Sequence, residues 1–281
     1  MLEQAAGLSA GDLEAIAALE RQVIAADGGR LKLEWGRLHR RSGDRVEDLL
    51  WWEDDRLVGF LGFYGFESAP ELAGMVAPDA RRRGIGSALL DAALSLCRER
   101  GDPPPLLIVP RPSEAGKRLA LRRGGAIDHS EHALVLSGKP TSGPHEQRVS
   151  LRPATPADLP LITRLLEVGF GRRAPRDLAD RLNSPRERTA MVELDGLAVG
   201  TLRLRRDVTG AAIHGFVIDA PLRGRGIGRA ALRHACERLR AEGAQRIGLE
   251  VDIGNDRALG LYTSVGFTPI ITEDYYALPV N

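Results

Sequence analysis

Two stretches of the chain gather residue types that can do chemistry. The first, Leu222-Arg223-Gly224-Arg225-Gly226-Ile227-Gly228-Arg229, alternates glycine with cationic and apolar residues. Glycines at alternate positions let backbone N–H groups turn inward past no Cβ atoms, and a helix starting there adds unpaired donors and a positive dipole end. Such a loop suits a diphosphate, with Arg223, Arg225 and Arg229 supplying charge at its rim. Further on, Glu250 offers a carboxylate that can take a proton, Tyr262 a phenol that can give one, and Asn255 a polar amide. Each has a plainer reading too: a turn that only joins a strand to a helix, a solvated strand carboxylate, a core ring, a helix cap.

The surrounding patterns place these residues. Ala212-Ile213-His214-Gly215-Phe216-Val217-Ile218 is an apolar run of strand type, and Ala230 through Leu239 has helical spacing, so the order is strand, loop, helix. In Arg246 through Ile253, the residues Ile247, Leu249, Val251 and Ile253 share one strand face, and Glu250 and Asp252 point the other way. Asn255 is a good N-cap, Ala258, Leu261, Tyr262 and Val265 form a helical stripe, and Gly266 stops it. Glu250 and Tyr262 can thus face one cleft. The loop matches neither a P-loop nor G-x-G-x-x-G, but it does match R-x-x-G-x-G at Arg223, Gly226 and Gly228.

The pattern occurs twice. Arg81-Arg82-Arg83-Gly84-Ile85-Gly86-Ser87 repeats the loop, and the key positions lie 142 residues apart (81 to 223, 84 to 226, 86 to 228), as do the helix stops Gly101 and Gly243. A repeat of that length means two domains, not a solenoid.

R-x-x-G-x-G between an apolar strand and an amphipathic helix resembles the acyl-CoA loop of the GNAT N-acetyltransferase superfamily. That resemblance implies an α/β (α+β) chain of two tandem GNAT domains, each a mixed, mostly antiparallel twisted sheet flanked by helices. It also implies an acyl-CoA-dependent N-acetyltransferase that moves acetyl from acetyl-CoA to a primary amine on a small molecule or peptide N-terminus. Leu249-Glu250-Val251, Asn255, Ala258, Leu261-Tyr262 and Gly266-Phe267 look like the second signature of these domains, with Glu and Tyr spaced as in the ribosomal-protein N-terminal alanine acetyltransferases. The resemblance makes Glu250 the general base, Tyr262 the general acid and Asn255 a contact to acetyl-CoA. Phe216, Val217 and Ile218 would hold the pantetheine arm by backbone, and Gly224 through Arg229, Ile227 and Gly228 included, the pyrophosphate. In the first copy Ile108, Ser113 and Ala120 fall at the positions of Glu250, Asn255 and Tyr262, and a one-residue slip gives Val109 and Leu121. The acid and base are absent there, whereas Met75, Val76, Arg81, Arg82, Arg83, Gly84, Ile85, Gly86 and Ser87 form a second possible cofactor site. This asymmetry resembles the mycothiol synthases, tandem members whose carboxyl-terminal domain is catalytic. The alternative is a non-catalytic acyl-CoA sensor or scaffold.

Length and composition agree with two domains. The chain has 281 residues and a net charge of +1 without a basic arm or acidic tail, so neither nucleic acid nor a membrane surface is expected as partner. No apolar run approaches spanning length and Met1-Leu2-Glu3-Gln4 lacks a signal-peptide start, which gives a cytoplasmic expectation. Linker composition at Ser137 through Pro144 divides the chain into 1–138, a linker 139–147, and 148–281. Cys97 and Cys236 continue apolar helix stripes and read as core residues. His129 and His132 have H-x-x-H spacing but no carboxylate or Cys cluster beside them, so no metal is expected. Helices are expected over Ser9–Ala26 and 113–123, and hairpins around Asp54-Asp55-Arg56 and Asp195-Gly196. A strand is expected at Ala133–Leu136, and Tyr275-Tyr276 in the last strand of the second copy. Asp219, Asp252 and Glu273 are acidic residues expected near the cleft. The segments 164–188 and 204–213 are expected to select the amine.

Overall fold

The computed structural model describes residues 1–65, 69–141, 148–171, 173, 174, 178–182, 184, 187–207 and 210–280. It forms two compact units, Met1–Glu131 with Ile271–Asn281, and His132–Ile270.

The first unit runs β1 (Leu2–Ala5), α1 (Ala10–Asp27), α2 (Trp35–Leu38), β2 (Asp48–Glu53), β3 (Arg56–Tyr64), β4 (Glu71–Val76), α3 (Ile85–Arg100), β5 (Leu106–Pro110) and α4 (Glu114–Arg122), then enters β6 (Ala126–Leu136). The second comprises the rest of β6, then β7 (Val149–Pro153), α5 (Leu159–Phe170), α6 (Leu178–Leu182), β8 (Glu187–Leu194), β9 (Leu197–Asp207), β10 (Gly210–Ile218), α7 (Ile227–Ala241), β11 (Ile247–Asp252), α8 (Asp256–Val265) and the start of β12 (Thr268–Ala277). Strand order is β1-β2-β3-β4-β5-β12 in the first unit and β6-β11-β10-β9-β8-β7 in the second. β4 pairs with β5, and β10 with β11, in parallel. Among the described residues, no helix is long and apolar enough to cross a membrane.

Local signals explain most elements. Ser9 caps α1 in a capping box with Asp12, and Asp195 and Gly196 take the positive φ (52° and 78°) that a tight hairpin demands. Asn255 and Ser113 each cap their helix by accepting an N–H three residues on. α3 buries Leu90, Ala93 and Cys97 and α7 buries Leu232, Ala235 and Cys236, the stripe that 3.6 residues per turn produces.

The division of the chain differs from the linear one expected at 139–147, of which 142–147 lie outside the described residues. β6 is longer than its apolar end. Its polar half belongs to the first unit, where Ser130 donates to Asp274 (2.7 Å) and Tyr275 donates to Glu131 (2.8 Å). The last strand likewise pairs with β5, Tyr275 opposite Ile108 and Tyr276 opposite Leu107, so Tyr275-Tyr276 and Glu273 sit in the first unit and not in the second. Tyr276 and Leu278 are buried in the first unit's core, which holds the segment there.

Two backbone features shape the second unit. β10 keeps one register with β9 through His214–Arg203 and a shifted one from Val217–Thr201, a bulge whose Gly215 has φ +57°. β4 meets β3 with no such shift. The bulge accounts for the spacing of the repeat: hairpin counterparts lie 141 apart (Gly59 and Gly200) and strand ends 142 apart (Val76 and Ile218). Second, β10 and β11 pair only at Ala211–Ile247 and Ala212–Gly248, then part.

The glycines of the loop carry a conformational load. Gly226 (φ 83°) and Gly84 (φ 88°) are left-handed N-caps of α7 and α3, and Gly224 (φ 82°) is left-handed as well. At the counterpart of Gly224 the first unit has Arg82, held at φ 64°. A side chain there costs about 1 kcal/mol. Gly224→Ala is therefore expected to destabilise the protein by about 1 kcal/mol and Arg82→Gly to stabilise it by a similar amount. Urea unfolding of both variants checks this pair of opposite signs.

Candidate functional site

The loop after β10 presents donors. The first α7 bond outside the loop runs from Ala230 N–H to Gly226 O, which leaves the N–H groups of Ile227, Gly228 and Arg229 without an intrahelical acceptor. A Cβ on Gly228 would make ordinary contact with Leu261 (3.4 Å), Ile218 (3.6 Å) and Phe216 (3.7 Å), so the strand beneath does not itself require glycine there. The first arginine of each loop also serves the backbone. Arg223 Nε donates to Ile218 O (2.8 Å), and Arg81 donates to Val76 O (3.1 Å), so in both units this residue ties the loop to the strand end.

The other arginines differ between the units. Arg81 and Arg83 are consumed by ion pairs with Asp27 (2.7 Å) and Glu53 (2.6 Å). In the second unit Arg229 donates to Ser264 (2.9 Å), while Arg225 is exposed and has no partner among the described residues. Arg257 joins it: its guanidinium lies within 3.5 Å of a Cβ built on Gly224, and it too has no partner among the described residues. Sequence reading missed Arg257 because the helix that carries it is far from the loop along the chain. Its signal was its place in the first turn after the Asn255 cap.

The cleft lies where β10 and β11 part. Ile213, Leu249 and Val251 join the core beneath α7, so His214 and Glu250 stand on the opposite face, the one against which α5 packs through Ile162, Leu165 and Leu166. A row of charge crosses this face from strand to strand. Glu187 pairs in register with Arg205 and Thr189 with Arg203, and Arg203 pairs with His214. Arg203 is 3.5 Å from Glu187. Burial and the cations Arg205 and Arg203 push His214 down to about 4, against the pull of Glu250 and Glu187, so its ring is neutral near pH 7.

Tyr262 is buried on α8, its ring edge-on to Phe267 (6.3 Å between centroids). Burial pushes its hydroxyl up to about 12, so it holds its proton through the neutral range. Asn255 uses Oδ1 to cap α8 (3.1 Å to Ala258 N), which leaves its amide N–H groups to face outward. Phe216, Val217 and Ile218 follow the bulge with β9 on one side and the opening on the other.

Several acidic candidates are otherwise engaged. Arg164 bonds Asp219 (2.8 Å) and holds its carboxyl below the usual range, Asp252 accepts from Gly254 N–H (2.8 Å), and Glu273 is buried beside Arg30 (3.1 Å) in the first unit. Cys97 and Cys236 are buried, and burial pushes their thiols up to about 11 and about 12. His129 bonds Asp128 (2.7 Å) and stacks on Tyr275. Among the described residues, no three His, Cys, Asp or Glu side chains gather as a metal site. Of the segments expected to select the amine, residues 172, 175–177, 183, 185, 186, 208 and 209 lie outside the described residues.

The first unit keeps the frame and fills the face. β4 and β5 also part after two pairs, Glu71–Leu106 and Leu72–Leu107, yet Ile108 and Ala120 are apolar and Ser113 only caps α4. The guanidinium of Arg41 is inserted onto buried Asp48 (2.7 Å), whose carboxyl burial raises to about 6 against the opposing pull of that cation. Lys32 bonds Tyr275 and stands 3.5 Å from Glu131.

The profile of the Acetyltransferase (GNAT) family matches residues 18–123 and 159–267, once in each unit. The chain belongs to this GNAT family. It is similar to the mycothiol acetyltransferase of Kineococcus radiotolerans, 30% identical over 95% of this chain and 93% of that one, and to that of Kytococcus sedentarius, 28% identical over 97% and 96%. In fold it is similar to a GCN5-related N-acetyltransferase from Sphaerobacter thermophilus (TM-score 0.79, 18% identity, 99% of this chain and 96% of that one). It is likewise similar to a tandem GNAT protein of the clavulanic acid biosynthesis pathway (TM-score 0.69, 18% identity, 100% and 99%). This GNAT chain is thus an N-acetyltransferase of tandem architecture, and its family uses acetyl-CoA. Free donors of the α7 first turn, left-handed glycines and two uncommitted arginines fit the pyrophosphate of that cofactor. Arg225→Ala and Arg257→Ala are each expected to weaken acetyl-CoA binding about tenfold, the worth of one hydrogen bond to a charged group. Calorimetric titration with acetyl-CoA measures it.

Proposed function

We propose that this chain transfers an acetyl group from acetyl-CoA to a primary amine through its second unit. The reading is carried by one coincidence: Glu250 and Tyr262 occur together there beside a loop flanked by two uncommitted cations, Arg225 and Arg257, and both the carboxylate and the phenol are missing from the first unit, where Ile108 and Ala120 stand. When bound, acetyl-CoA supplies the thioester and the thiolate that leaves. Glu250 takes the proton of the incoming ammonium, since only the neutral amine is a nucleophile. Tyr262 gives a proton to the thiolate sulfur, a task its burial suits because it reaches the reaction protonated. Asn255 and the backbone of Phe216, Val217 and Ile218 orient the acyl arm, and much of the rate comes from holding amine and thioester together.

The mycothiol acetyltransferases among the relatives support des-acetylated mycothiol as the first amine to assay. For the first unit we infer binding of acyl-CoA without turnover, favoured by a retained loop over a face already filled by Arg41 and Asp48.

Tyr262→Phe is expected to lower kcat by about 10²- to 10⁴-fold with acetyl-CoA affinity unchanged. Release of CoA at an undiminished rate would remove Tyr262 as the acid. The sign of the pH dependence follows from its raised pKa: Tyr262 works protonated, so it causes no loss of rate on the alkaline side until the pH nears 12. Rate profiles of the wild-type enzyme up to pH 10 measure this directly.

A further inference from the structure

His214 is a shielded titratable group of the second unit to which the proposed transfer gives no task. It is the last residue of β10 in regular register before the bulge, directly opposite Arg203. The final paired step between β10 and β11 is Ala212 with Gly248, so His214 and Glu250 each stand two residues past it, on one face, at the mouth of the opening. The charged groups about the ring come from every neighbouring strand: Glu187 on β8, Arg203 and Arg205 on β9, Glu250 on β11. Nε2 is cut off from solvent and has no hydrogen-bond partner among the described residues. Nearly all buried polar atoms are bonded, and one left unbonded calls for a reason, of which a ligand's donor is among the simplest.

The first unit supplies a control. Gly62 pairs with Ala73 as Arg203 pairs with His214, so an alanine stands at the histidine's position, beside Ile108 at that of Glu250 and in a strand without a bulge. Imidazole, carboxylate and bulge are all present in one unit and all absent from the other. The bulge has a geometric use: it sets His214 and the following Gly215 on the same side, and a Cβ on Gly215 would press to 3.1 Å from Arg203 Nε.

We infer that His214 is an acceptor-binding residue of the second unit, whose imidazole accepts an N–H from the incoming amine and holds it against Glu250. The inference rests on the transfer proposed above. A neutral ring suits this task, because it offers a lone pair and does not repel an ammonium.

The test uses the full-length enzyme with acetyl-CoA and des-acetylated mycothiol as the probe amine. His214→Leu is expected to lower kcat/KM for the amine by about 10- to 100-fold, mainly through KM, with KM for acetyl-CoA within about twofold of wild type. His214→Gln, which keeps a hydrogen-bonding group, is expected to recover part of the loss. A leucine variant that melts with the wild type and stays within about twofold in kcat/KM for the amine overturns the inference. A second measurement needs no turnover: in protein labelled with ¹⁵N-histidine, the ring resonance that disappears in His214→Gln is expected to move in Glu250→Gln. An unmoved resonance overturns the inference. A wild-type enzyme that leaves the thioester intact counts against the proposed transfer, and the resonance still decides for His214.

Discussion

The brevity of one parallel pairing governs the second unit. β10 and β11 exchange hydrogen bonds over two residues and then separate, leaving strand edges that face each other across an opening. Unpaired backbone donors and acceptors are costly when buried, so such an opening persists where something else satisfies them. An acyl arm with its amides can do so, and the donors at the start of α7 lie at the end of the same strand. The bulge, the charged row and the helix that carries Tyr262 all take their positions from this separation.

The same separation in the first unit has been used differently. β4 and β5 part after an equal number of pairs, but the adjoining face is occupied by an inserted arginine on a buried carboxylate and by a lysine bonded to Tyr275. Buried ion pairs of this kind contribute little net stability, because desolvation offsets attraction, yet breaking one is costly. Sealing the face this way fixes its conformation. The duplicated loop has been kept under mild strain, with Arg82 in a conformation that glycine adopts without cost.

Much of this was legible in the sequence. Helix caps, hairpin turns, the duplicated loop and the apolar stripes are local signals, and Asn255, Ser113, Gly226 and Gly84 act where spacing put them. What escaped was non-local. Gly215 lies in an apolar run and reads as ordinary strand, while its bulge is visible only against β9. The polar half of β6 resembles a turn until Asp274 and Tyr275 are seen to bond it, and nothing near Tyr275 tells which strand it will pair with. The backbone bond of Arg223 escaped for a related reason. Its charge suggested a phosphate, and its bond to Ile218 O depends on where the strand ends.

The placement of the last strand bears on how the chain is made. β5 has β12 along its edge, and β12 is synthesised after nearly all of the second unit. The first unit therefore waits with an open edge until the second has been made, whereas most of the second unit emerges complete around its own core. An exposed edge strand invites pairing with other chains. Loss of β12 would thus injure a unit whose other strands lie more than a hundred positions earlier, and a stop near Tyr275 would surface as aggregation of the first unit.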